Sequence, residues 1–74
     1  MQIRELITID KETLGGQPVF AGTRAPVESL FDYLEAGISL DEFLADFPSV
    51  TRQQAIDLLE AANKILTSKN IEQL

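Results

Sequence analysis

The chain has no cysteine and no histidine among its 74 residues. Without cysteine no disulfide can staple it, and without either residue type no structural metal cluster is suggested. The same absence removes the usual activated nucleophiles, because Ser-His and Cys-His pairs cannot be assembled. Long apolar runs are missing as well. None approaches the length needed to span a membrane, and the start, MQIRELITID, lacks the apolar stretch of a signal peptide. The cytoplasm is the expected compartment. Basic residues are scarce, six Lys and Arg against twelve Asp and Glu, for a formal net charge of −6. That balance argues against a protein that works mainly by gripping phosphates.

What remains reads as one small globular domain, residues 1–74, with 45% hydrophobic and 24% charged residues. A chain this short buries only roughly 60% of the surface that its unfolded form exposes. A self-complementary homodimer is a common way to add core. The charge is unevenly spread. Residues 1–27 balance Arg4, Lys11 and Arg24 against Glu5, Asp10 and Glu12, and residues 47–74 balance as well. The whole excess lies in residues 28–46, as Glu28, Asp32, Glu35, Asp41, Glu42 and Asp46.

Glycine and proline are concentrated in one place. Three of four glycines and two of three prolines fall in GGQPVFAGTRAPV, residues 15–27. A phosphate-binding loop would need G-x-x-x-x-G-K-[ST]. Here five residues, not four, lie between Gly16 and Gly22, and Thr23–Arg24 follow in place of Lys-Ser. The dinucleotide pattern G-x-G-x-x-G is missing too. The run therefore reads as architecture, with glycines for tight turns and Pro18 and Pro26 stiffening a strand. Only Arg24 is left without a packing role. It either pairs with the acidic helix that follows or meets a carboxylate or phosphate of a partner.

Residues 1–25 are expected to hold short strands and this Gly/Pro-rich turn. Ile3–Asp10 reads as a first strand and Pro18–Ala21 as a second, with a turn over Lys11–Gln17 where Gly15–Gly16 adopt positive φ. Residues 26–67 take a helical period. A first helix starts at Pro26 and buries Val27, Leu30, Phe31 and Leu34, with Gly37 as its stop. Ser39 and Glu42 form a capping box for a short second helix over 39–46, ended by Pro48. Thr51 and Gln54 form another box for a third helix over 51–66. Residues 68–74 form a tail in which Ile71 and Leu74 extend the apolar stripe of Ile65 and Leu66, suited to docking on another protein or to completing a homodimer.

The fold class is thus mostly α with short N-terminal β-strands, a three-helix helix-turn-helix-like domain of winged-helix or homeodomain-like type. In that plan Arg52, Gln53 and Gln54 stand where recognition helices place base-reading side chains. Arginine on guanine and glutamine on adenine are common contacts. The alternative is local: Gln54 serves the capping box, and Arg52 is an exposed first-turn residue, placed there against the helix dipole. The carboxylates could serve as acid and base or hold Mg²⁺. A solvated helix face or a cap explains each of them, so no enzyme and no cofactor or metal is expected.

The run from Gly15 to Val27, with Ile9–Asp10, Leu34–Ser39, Phe47–Pro48 and Thr51, resembles the bacterial domain-of-unknown-function 433 family over about residues 3–66. The resemblance implies a helix-turn-helix-like fold and a role like that of VapB antitoxins. In such a role the chain blocks a PIN-like ribonuclease toxin encoded beside it and represses its own promoter by binding operator DNA. It brings Gly16, Pro18, Gly22, Thr23 and Arg24 as signature positions of unassigned function. On that reading the acidic surface, represented by Asp32, Glu35 and Asp46, faces a cationic ribonuclease cleft, with Arg24 as a further partner contact.

Overall fold

A computed structural model of the chain describes residues 3–12 and 14–68. The elements run α1 (Ile3–Leu6), β1 (Ile7–Thr8), a 3-10 turn (Leu14–Gly16), β2 (Val19–Phe20), α2 (Val27–Glu35), α3 (Leu40–Asp46) and α4 (Arg52–Leu66). The last three form the helix-turn-helix-like unit, and the short antiparallel strands stand N-terminal to it. The expected tail positions Ile71 and Leu74 lie outside the described residues.

The first segment departs from expectation. Ile3–Leu6 is a helical turn, and the strand is confined to Ile7–Thr8. Only Ile7 and Ile9 alternate in the manner of a strand, whereas Leu6 turns inward to full burial and α1 packs against α4. The strand ends at Thr8, and just beyond it Asp10 Oδ1 accepts the Glu12 N–H at 2.9 Å, a side-chain turn that competes with extended pairing. The second strand is shorter than Pro18–Ala21 but central. Ile7 pairs with Phe20 and Thr8 with Val19 on one side. On the other side Val19 bridges Pro26, and the Val27 N–H donates to the Pro18 carbonyl at 3.0 Å.

Helix α2 starts at Val27, one residue later than expected, with Pro26 as its N-cap at φ −65°. It stops as Gly37 requires. The Gly37 N–H bonds the Leu34 carbonyl and the Ile38 N–H bonds the Tyr33 carbonyl, both in the Schellman pattern. Its buried face is shifted from the one expected. Leu30 is fully buried and Val27 and Phe31 are half-buried, but Leu34 is exposed and Tyr33 packs inward instead. At α3, Ser39 Oγ accepts the Glu42 N–H at 3.1 Å. The return bond from the Glu42 side chain is not formed. At α4 both halves of the capping box are present: the Gln54 N–H reaches Thr51 Oγ1 at 3.0 Å, and the Thr51 N–H reaches Gln54 Oε1 at 2.9 Å.

The core gathers Leu6, Phe20, Ala25, Leu30, Phe43, Val50, Ala55 and Leu58. It draws on α1, β2, all three long helices and the α3–α4 turn. Phe43 is its hub. Its ring lies 6.1 Å from that of Phe20, 5.4 Å edge-on from Tyr33 and 4.9 Å stacked from Phe47. Such spacings add attraction beyond simple area burial.

Candidate functional site

The glycine- and proline-rich run is a closed knot of backbone bonds. The Phe20 N–H donates to the Ala25 carbonyl, and the Thr23 N–H to the Phe20 carbonyl, each at 3.0 Å. The Thr23 hydroxyl donates to that same carbonyl at 2.8 Å and accepts the Ala25 N–H at 3.0 Å. Gly22 takes φ +75°, the left-handed turn that glycine adopts without strain. Thr23 and Gly22 are therefore explained by the turn. Arg24 is exposed at its tip and forms no ion pair among the described residues. The intramolecular pairing expected with the acidic helix is not made.

The first turn of α4 is also occupied. Beyond its capping bond, Gln54 donates from Nε2 to the Ala21 carbonyl at 3.0 Å, tying α4 to the glycine-rich turn. It is half-buried. Gln53 donates to Asp57 at 2.8 Å along the same helix. Arg52 bonds and ion-pairs with Asp41 across the α3–α4 turn, both side chains being largely exposed. Arg52 and Gln53 thus stand at the solvent surface with acidic partners, and Gln54 serves the fold.

The acidic residues form the third feature. Glu28, Asp32 and Glu35 on α2, and Asp41, Glu42 and Asp46 on α3, are all exposed. Helices α2 and α3 pack on each other, so the six carboxylates are carried by two adjacent helices. Asp46 is joined to α2 by the Tyr33 hydroxyl, which donates to its Oδ2 at 2.7 Å. That bond raises the Tyr33 pKa above its ordinary value. Loss of solvent and the charges of Asp46 and Glu42 act in the same direction. Tyr33 is not among the residues that the sequence pattern singles out. Its signal was its position three residues after Leu30, on the buried side of α2, with a polar tip that needs a partner.

A depression of about 70 Å³ on α4 is lined by Asp57, Glu60, Ala61 and Lys64. Clefts for small organic ligands are typically about 300–1,000 Å³. Among the described residues no group of three or more Asp and Glu side chains is arranged to hold a metal ion. No helix among them is long and apolar enough to cross a membrane.

Residues 7–61 match a family described as "Protein of unknown function (DUF433)". A curated relative, "Uncharacterized protein y4eO" of Sinorhizobium fredii (strain NBRC 101917 / NGR234), is 37% identical over 51 residues. Those residues are 69% of this chain and 23% of the relative, so the chain spans less than a quarter of that protein's length. No solved structure matches the chain.

Proposed function

Because this chain belongs to the DUF433 family of proteins of unknown function, we propose that it is a non-enzymatic protein-binding module of antitoxin type. Its partner is a PIN-like ribonuclease, met through the acidic face of α2 and α3. The observation that carries this reading is the state of the six carboxylates in residues 28–46. All six are exposed, and among the described residues only Asp41 has a cationic partner. Carboxylates held on two packed helices with a single internal counter-charge among the described residues create a negative field that steers a cationic surface into contact and selects against anionic ones. Arg24, exposed on a turn locked by its own backbone and outside any ion pair among the described residues, is a further side chain able to meet a partner's carboxylate. The matched region forms under a quarter of y4eO, which suits a module working beside other polypeptide.

The test is isothermal titration of a PIN-like ribonuclease with the wild type and with an Asp32→Lys, Glu35→Lys, Asp46→Lys variant. The variant should bind at least about tenfold more weakly at low salt, and the difference should shrink as salt screens the field. Equal affinities would remove the acidic face from the mechanism.

The helix-turn-helix-like arrangement supports a second reading, a DNA-binding regulator reading bases with Arg52 and Gln53. Both side chains are exposed at the start of α4, but they would have to leave Asp41 and Asp57 to do so. Salt-dependent binding to a short palindromic duplex, lost in Arg52→Ala, Gln53→Ala, would support it. Binding that survives the double substitution would place the contact elsewhere.

A further inference from the structure

Helix α2 carries two parallel rows of side chains that the fold leaves at least partly uncovered. Its sequence, VESLFDYLE, repeats an apolar residue followed by an acid: Val27–Glu28, Phe31–Asp32 and Leu34–Glu35. The pairs recur at i, i+4 and i+7, so each row follows one line of the helix, the acids about 100° round from the apolar residues. The buried face of α2 is turned toward Leu30 and Tyr33. The apolar row is therefore only part covered: Val27 and Phe31 are half-buried, and Leu34 is 37% exposed and outside the core. Glu28, Asp32 and Glu35 are exposed and, among the described residues, form no ion pair. Single exposed apolar side chains are ordinary. A line of them over two turns, with a carboxylate beside every member, offers apolar surface to bury and a charge that selects what buries it.

We propose that this double row docks an amphipathic cationic helix of a partner protein. Apolar side chains of that helix cover Val27, Phe31 and Leu34, and its Lys or Arg side chains meet Glu28, Asp32 and Glu35. The spacing selects a helix. The anchors advance along α2 by about 6 and then about 4.5 Å, steps that the i, i+4 and i+7 positions of a second helix repeat. Same-face residues of a strand recur every 6.7 Å or so, about twice the rise per residue, and drift out of step. The charge selects the sign. A second copy docked through the same rows would set carboxylates against carboxylates, with no basic residue in 28–46 to relieve them. Nucleic acid and anionic lipid are repelled for the same reason. A cationic helix gains twice, because its lysine stems lie on the apolar line while their ammonium groups reach the acids. The sign of the partner's charge rests on the acidic-face reading above; apolar contact on α2, beyond that charge, is what holds the partner.

Two synthetic peptides, each about four helical turns long, serve as probes. One places leucines on one face and lysines on the other, and the second keeps every lysine and replaces each leucine with alanine, so that charge and helical propensity stay the same. By isothermal titration at about 0.15 M salt, the wild type should bind the leucine peptide about tenfold or more tighter than the alanine peptide. Leu34→Gln keeps every charge and a good helix former at an exposed site, and circular dichroism verifies that it folds. It should weaken the leucine peptide by about fivefold or more and leave binding of the alanine peptide unchanged. Amide shifts in NMR spectra should move most over Val27–Glu35. Equal binding of the two peptides, absence of binding included, would overturn the proposal. So would a Leu34→Gln variant that binds the leucine peptide as the wild type does, or shifts centred on the exposed Ile65 and Leu66 of α4. Because Leu34→Gln changes no charge, its failure is distinct from that of the acidic-face reading. A ribonuclease weakened by the charge reversals but indifferent to Leu34→Gln would keep the acidic face and remove the apolar row from the interface.

Discussion

Gln54 links three parts of the molecule with one amide. Its Oε1 accepts from Thr51, its backbone N–H caps onto the Thr51 hydroxyl, and its Nε2 holds the Ala21 carbonyl 33 residues away. Gln54→Ala removes the return half of the cap and leaves a part-buried carbonyl unsatisfied, a loss of about 1–3 kcal/mol. Urea unfolding should show it as a lowered midpoint with an unchanged slope. A midpoint equal to wild type would mean that solvent replaces both bonds. Tyr33 offers a cleaner probe, since the chain has one tyrosine and no tryptophan. Its folded-state pKa lies above the unfolded value of about 10, because the protonated hydroxyl donates to Asp46. Its contribution is therefore complete below that unfolded value and is lost as pH rises through the raised folded one. Absorbance titration should place the midpoint above that of free tyrosine, and Asp46→Asn should bring it down. No difference between the two proteins would mean that the bond is not populated in solution.

Among the elements, the long helices follow rules that act over a few residues. Thr51 and Gln54 start α4, Gly37 stops α2, and Pro48 follows α3. What joins these helices to the strands is the aromatic group around Phe43, which touches rings from β2, α2 and the α3–α4 turn. Phe43 is completely buried. Phe→Ala in such a position costs about 3–5 kcal/mol, against the 5–15 kcal/mol that folded domains typically possess. Phe43→Ala should therefore remove a large share of the stability and lower the thermal midpoint steeply by circular dichroism. A cooperative melt near that of wild type would show that the neighbouring rings close the cavity.

The whole molecule is governed by its charge. Six exposed carboxylates share two adjacent helices, and their mutual repulsion opposes the folded state. The one ion pair among the described residues, Arg52–Asp41, is exposed at both ends and offsets little of it. Raising sodium chloride from about 0.01 to 0.15 M shortens the screening length from about 30 to about 8 Å. The thermal midpoint should rise over that range. A fall would mean that attractive pairs outweigh the repulsion.

The helix-turn-helix-like frame, both α4 capping bonds, the end of α2 and the acidity of residues 28–46 were legible in the sequence. Each depends on residues at most a few positions apart, where 3.6-residue periodicity and capping chemistry act. The glycine-rich turn was legible as architecture for the same reason, since its glycines and prolines restrict their own backbone. The split of the first segment into α1 and β1 was not, because a four-residue helical turn holds only by packing against α4, some fifty residues later. Nor was the use of Arg52 and Gln54, whose partners are Asp41 and the Ala21 carbonyl, or the inward turn of Tyr33 in place of Leu34. Composition and short-range pattern determined which helices form and where the charge lies. The tertiary structure decided which polar side chains are consumed by the fold and which stay free, because a hydrogen bond between distant residues exists only after the chain has closed around its core.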